Sequence, residues 1–135
     1  MNRKFVISVV VMFILSWGLG FLVHGLLLHS DYAKFPNLMR TMADQQAKLP
    51  YMLLAHLCIA LGFTWIYLKG KEDKPWLAQG IRYGIAIAVL ATIPVNLVHY
   101  VVMPFPPELV LKQASCDVAT VVLMGHRAGV DQPLS

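Results

Sequence analysis

The chain has 135 residues, of which 58% are apolar and 13% are charged, and its mean hydropathy is +0.63. An ordinary soluble domain carries about 25% charged residues. This composition excludes a disordered tail, a coiled coil and a nucleic-acid-binding domain. The net charge of +4 is better explained by basic residues beside membrane-spanning segments than by a nucleic-acid partner. We therefore expect an integral membrane protein whose main partner is the lipid bilayer.

Four apolar segments predict an all-α membrane protein, folded as an up-down bundle of four transmembrane helices. An α-helix rises about 1.5 Å per residue, so about 20 residues cross the hydrocarbon core. The predicted helices of this single membrane domain, residues 1–135, cover residues 5–28, 51–68, 81–103 and 108–125. A longer loop, residues 29–50, separates the first helix from the second.

The third and fourth segments contain residues that disturb a simple membrane helix. Pro94 predicts a kink in the third helix, because proline removes a backbone donor and clashes with the preceding turn. Asp117 lies near the middle of the fourth helix, where a carboxylate costs about 2.5–3.5 kcal/mol and offsets most of the gain from Leu and Val. We expect the fourth helix to insert only against partner helices and to stop at Gly125, before a polar tail.

The distribution of basic residues predicts the orientation in the membrane. Seven lie in the N-terminus, the second loop with its boundary and the tail, whereas the first loop has three. Cytoplasmic loops carry an excess of Lys and Arg. This favours a protein of the bacterial cell inner membrane with both termini in the cytoplasm and the first loop outside. In the second loop, Glu72 and Asp73 argue against an anionic-lipid site.

Small residues repeated every four positions predict the packed helix faces, because small side chains let membrane helices approach closely. Antiparallel packing of the first two helices is expected to place three pairs at matching levels: Ser16 with Thr64, Gly20 with Ala60, and His24 with His56. The third helix carries a ridge made of Gly80, Gly84 and Ala88. We expect this ridge to be available for a homo-oligomer or a larger membrane complex.

A layer of polar residues is predicted at one depth, about 6–8 Å below the outer surface or slightly deeper. Its members are His24, His56, Asn96, His99, Lys112, Gln113 and Asp117. Polar residues within a membrane usually face the interior of the bundle and indicate function by default. Hydrogen bonding between helices is the favoured interpretation of this layer.

The favoured function is a non-enzymatic accessory or structural subunit, with no catalytic residue and no cofactor. Two alternatives stay open. Zinc, copper or haem would bind through imidazole nitrogens of His24, His56 and His99. A small oligomeric transporter of protons, cations or small solutes would instead use Lys112 and Asp117 as titrating groups.

Several short segments carry a family resemblance: Trp17-Gly18-Leu19-Gly20, His24-Gly25-Leu26-Leu27, Asp31-Tyr32, Leu53-Leu54-Ala55-His56, Glu72-Asp73-Lys74-Pro75-Trp76 and Met103-Pro104-Phe105-Pro106. Together they resemble small uncharacterised bacterial inner-membrane proteins with four helices, of the domain-of-unknown-function type. The resemblance implies a four-helix integral membrane fold and assigns no catalytic residue. Such proteins usually complete their fourth helix with an apolar run, whereas here a polar tail follows Gly125.

Overall fold

The computed structural model describes residues 2–131, and within this range the chain is helical with no strand. Met1 and residues 132–135, which end the predicted domain and its polar tail, lie outside the described residues. The α-helices are α1 (Arg3–Gly20), α2 (His29–Ala33), α3 (Met42–Ala47), α4 (Leu49–Gly70), α5 (Trp76–Ile87), α6 (Ile93–Val102) and α7 (Pro107–Asp131). A π-helical segment, Phe21–Leu27, continues α1, and another, Ala88–Thr92, joins α5 to α6.

Three helical stretches are long and apolar enough to cross a membrane: Arg3–Leu27, Leu49–Gly70 and Trp76–Val102. Their outer surfaces are apolar, with Leu90 77% exposed and Val101 82% exposed. Polar side chains such as Ser16 and Asn96 are buried instead. An apolar surface around buried polar groups suits lipid, because hydrocarbon cannot hydrogen-bond to an exposed polar group. Residues 2–131 are therefore all-helical with three candidate membrane spans, and α7 is not among them.

The first loop is more ordered than a plain solvated loop. It contains α2, a 3₁₀ turn at Pro36–Leu38 and α3. The second predicted membrane helix corresponds to α4, which begins at Leu49 rather than residue 51. Pro50 lies in its first turn, where the missing backbone donor of proline costs nothing. The expected disturbance at Pro94 takes the form of the π-helical segment Ala88–Thr92, which directly precedes α6.

The prediction that the fourth helix stops at Gly125 is wrong, because α7 continues to Asp131. The added turns are held by packing against α5 rather than by lipid. Ala128 is only 4% exposed, and the His126 ring packs edge-on against Trp76 with their ring centroids 5.7 Å apart. The polar stretch after Gly125, which predicted the end of the helix, therefore forms the last turns of α7 and packs against α5.

Helix α7 packs most closely against α5, where the two backbones touch at glycines. A methyl group on Gly84 would lie 2.7 Å from the Cα atom of Val122, and one on Gly80 would overlap the carbonyl oxygen of Gly125. The small-residue ridge expected to serve an oligomer is thus occupied within the chain, by α7. Its third member, Ala88, is also buried, at 2% exposure.

The remaining packing places α1 between α4 and α7, while α6 also contacts α7. The apolar core lies where α1, α4 and α7 meet, and includes Met12, Ala60, Tyr67 and Met124, all at most 2% exposed. Away from this core, the polar residues near the end of α1, on α6 and near the start of α7 lie close to one another, on the same side as the first loop.

Candidate functional site

Five polar side chains from four parts of the chain form a continuous hydrogen-bonded chain, which we call the polar clamp: Asn96, Asp117, His24, Tyr32 and Gln113. Asp117 Oδ2 accepts from Asn96 Nδ2 at 3.2 Å, and Asp117 Oδ1 lies 3.1 Å from His24 Nε2. His24 Nδ1 lies 2.7 Å from the hydroxyl of Tyr32, which accepts from Gln113 Nε2 at 2.9 Å. The clamp therefore ties α7 to α6, to the π-helical continuation of α1 and to α2.

One arrangement of protons is consistent with every hydrogen bond of the clamp. An ionised carboxylate only accepts hydrogen bonds, so His24 Nε2 carries a proton toward Asp117. In the neutral imidazole, Nδ1 is then an acceptor, and it receives the proton of the Tyr32 hydroxyl. The hydroxyl oxygen keeps lone pairs for Gln113.

Local backbone structure places His24 and Tyr32 beside each other. His24 lies in the middle of the π-helical segment Phe21–Leu27, which closes with a hydrogen bond of 2.9 Å from Leu28 N to the Val23 carbonyl. Such segments are often found at functional sites. Leu28 is buried, at 3% exposure, and α2 starts at the next residue. The anchored Leu28 thus turns the chain so that Tyr32 folds back over the His24 ring, the centroids being 6.1 Å apart.

A second contact between the first loop and α7 lies beside the clamp. Lys112 Nζ is 3.1 Å from each carboxylate oxygen of Asp31, and Lys34 approaches the same carboxylate at 3.3 Å. Hydrogen bonds from Lys112 and then from Lys34 hold the pKa of Asp31 below its ordinary value of 3.8. The neighbouring Tyr32 has a raised pKa, because burial disfavours its phenolate. Both groups therefore keep their ordinary charge at neutral pH.

The lowered pKa of Asp31 gives a testable pH dependence. Because the contact lowers the pKa of Asp31, it stabilises the fold at pH values above the ordinary carboxyl pKa. This stabilisation is lost as the pH falls through the lowered pKa. We expect Lys112→Met to raise the pKa of Asp31. The carboxyl ¹³C chemical shift of Asp31, recorded during an acid titration in micelles, measures this pKa. The matched control is Lys48→Met, since Lys48 instead lowers the pKa of Asp44 on α3. An Asp31 titration curve that Lys112→Met leaves unmoved would contradict the contact.

His56 and His99 lie apart from the clamp. His56 Nδ1 is 3.0 Å from the hydroxyl of Ser16, and its ring packs edge-on against Trp17. The expected level matching of the first two helices is therefore wrong, because His56 lies beside Ser16 and Gly20 rather than beside His24. Residue counting assumed that both apolar runs end at the same height. Over residues 2–131, His99 has an exposed side chain with no hydrogen bond.

The described part of the chain contains no group of three or more His, Cys, Asp or Glu that could hold a metal ion. The proposed ligand set of His24, His56 and His99 is therefore not assembled. His24 bonds to Asp117 and Tyr32, whereas His56 bonds to Ser16 on another face, because shared depth along a helix does not fix the direction of a side chain. The polar layer instead divides: His24, Asn96, Gln113 and Asp117 converge, and Lys112 pairs with the loop.

Two residues of this site were not among the predicted site residues. Asp31 and Tyr32 lie in the first loop, and a loop offers no helical periodicity from which their direction can be inferred. Their signals in the sequence are their position, directly after the first apolar segment, and the Asp31-Tyr32 pair in the family resemblance.

No protein-family model, curated protein or solved structure matches this chain significantly. Its function is therefore inferred from the geometry of its own side chains.

Proposed function

We propose that this chain is a four-helix protein of the bacterial inner membrane, with both termini in the cytoplasm, that serves as a non-enzymatic accessory or structural subunit. One observation carries the proposal: the hydrogen bonds of His24 and Asp117, at the centre of the clamp, are made within the chain. Both ring nitrogens of His24 and both carboxylate oxygens of Asp117 have partners. A ligand would have to displace these bonds, whereas a structural role needs nothing more.

The fourth helix of the proposed bundle is α7. Its 25 residues rise about 37 Å, which exceeds the hydrocarbon core of about 30 Å. The residues that make it a poor membrane helix on its own, Lys112, Gln113 and Asp117, each bond to another element. Its glycines lie against α5. These contacts support insertion of α7 as a partner-dependent span, with the clamp and the glycines offsetting its low hydropathy.

The proposed orientation rests on the basic residues. Arg3 and Lys4 lie at the start of α1, and Lys69, Lys71 and Lys74 lie between α4 and α5. With an even number of crossings, these regions and the end of α7 share one side of the membrane. The positive-inside rule makes that side the cytoplasm. The clamp then lies near the outer face, beneath α2.

Proton transport is a second candidate, and the continuity of the clamp favours it. His24 and Asp117 are titratable, directly bonded, and 44% and 26% exposed in their side chains. A chain of hydrogen bonds between titratable groups is the usual element of a proton relay. Metal or haem binding has weaker support, because the described histidines do not converge.

A flux experiment separates the structural role from transport. The purified chain is reconstituted into vesicles that contain a pH-sensitive dye, and an imposed pH gradient is followed. We expect decay at the rate of protein-free vesicles, for the wild type and for Asp117→Asn alike, because the clamp bonds are closed within the chain. Elemental analysis and an absorption spectrum of untagged protein are expected to show no stoichiometric metal or haem. Faster decay in the wild type that Asp117→Asn abolishes would replace the structural role with transport.

A further inference from the structure

A cleft between the end of α4 and the start of α5 lies far from the polar clamp. We propose that this cleft, which we call the linker cleft, binds the phosphate of an anionic phospholipid headgroup. Its volume is about 280 Å³, and its walls include Tyr67, Lys71, Lys74, Gln79, Arg82 and Tyr83. The inference rests on membrane insertion of α4 and α5 and not on the proposed role of the clamp.

The charge of the linker cleft is the first argument. Three cations, Lys71, Lys74 and Arg82, line it together with one carboxylate, Glu72. Glu72 is paired with Lys74, and its pKa is lowered mainly by that contact. Within residues 2–131 neither Lys71 nor Arg82 forms an ion pair, and the nearby charge of Arg82 adds to the lowering of the Glu72 pKa. Of the two acidic residues that argued against a lipid site, Glu72 is thus paired and Asp73 does not line the cleft, so Lys71 and Arg82 remain for a phosphate.

The linker that covers the cleft is held in place, so the cations are presented by an ordered surface. The side-chain oxygen of Gln79 accepts a hydrogen bond from the backbone N–H of Glu72, and its Nε2 donates to the Glu72 carbonyl at 3.2 Å. On the inner wall, the Tyr83 hydroxyl donates to the Phe63 carbonyl at 2.7 Å. These bonds join α5 to the linker and to α4. A ligand therefore meets a preformed site.

The location of the linker cleft identifies the source of the phosphate. Two candidate membrane spans, Leu49–Gly70 and Trp76–Val102, end and begin at its rim, so it opens at the level of the headgroups. Ile66, which is 46% exposed, provides an apolar wall one turn before the end of α4. A phospholipid offers both matching parts, a phosphate above and acyl chains below. Basic pockets between helices on the cytoplasmic side are known to hold anionic headgroups.

Lipid titration of the full chain in a neutral detergent tests the proposal. Binding of phosphatidylglycerol, phosphatidylcholine and inorganic phosphate is compared by native mass spectrometry. We expect phosphatidylglycerol to bind preferentially, and Arg82→Gln or Lys71→Gln to weaken it about fivefold each, the effect typical of one basic residue at a membrane surface. The matched control is Lys48→Gln, which removes the same charge at the other end of α4.

A variant with the opposite expected effect keeps the test decisive where Arg82→Gln does not fold. Glu72→Gln removes the only lining carboxylate and frees Lys74, so phosphatidylglycerol should bind more tightly. Equal affinity for the two lipids, or equal weakening by Lys48→Gln and Lys71→Gln, would overturn the proposal. Competition by millimolar inorganic phosphate would reassign the cleft to free phosphate. None of these outcomes depends on the flux of protons.

Discussion

Replacing Gly125 with alanine is expected to destabilise the folded chain by about 3 kcal/mol, by separating α7 from α5. The added methyl group would lie 2.7 Å from the backbone nitrogen of Gly84 and would overlap the carbonyl oxygen of Gly80. Backbone atoms on both helices cannot move aside as a flexible side chain would, so one helix must shift. Unfolding in mixed micelles of increasing SDS fraction, followed by tryptophan fluorescence, measures the loss. Trp76, one of the three tryptophans, packs against His126, the residue that follows Gly125.

The matched control is Gly62→Ala on α4, where an added methyl group meets nothing within 4 Å. Here the only effect is intrinsic helix propensity, which favours alanine by about 0.5–1 kcal/mol. We therefore expect this variant to unfold at the same SDS fraction as the wild type or at a slightly higher one. Equal stability of the Gly125 and Gly62 variants would show that α5 and α7 do not pack through their glycines.

Replacing Asp117 with alanine should cost about 1–3 kcal/mol, because His24 Nε2 loses its acceptor and Asn96 Nδ2 keeps only the Thr92 carbonyl. A double-mutant cycle with His24→Ala isolates the direct contact. Hydrogen bonds between membrane helices average about 0.6 kcal/mol and reach about 1.7, and we expect a coupling energy in that range. The same unfolding assay supplies the four stabilities.

The control for this cycle pairs Asp117→Ala with His56→Ala. His56 bonds to Ser16, between α1 and α4, and shares no partner with Asp117. The two effects should add to within about 0.5 kcal/mol. Coupling of Asp117 to His56 as strong as its coupling to His24 would contradict the clamp. It would instead favour the level matching of His24 with His56 that residue counting predicts.

The candidate site was only partly predictable from the sequence. Depth along a helix follows from counting residues, and counting placed His24, Asn96, Gln113 and Asp117 in one layer. The direction of each side chain depends on which helix lies beside it, so the layer did not reveal that His56 and His99 face elsewhere. The loop residues Asp31 and Tyr32 enter the site only because α2 folds back over the helix ends, which no periodicity signals.

The sequence by itself determined the features that depend on composition along the chain. Three helical stretches have the length and hydropathy to cross a membrane because about 20 consecutive apolar residues suffice for that property. Only the tertiary structure decided what each helix face meets. The spacing of Gly80 and Gly84 marks a face for close approach, but a spacing carries no information about the partner, and α7 occupies it. The same contact carries α7 past Gly125 to Asp131, because packing against α5 compensates for the polarity of the last turns.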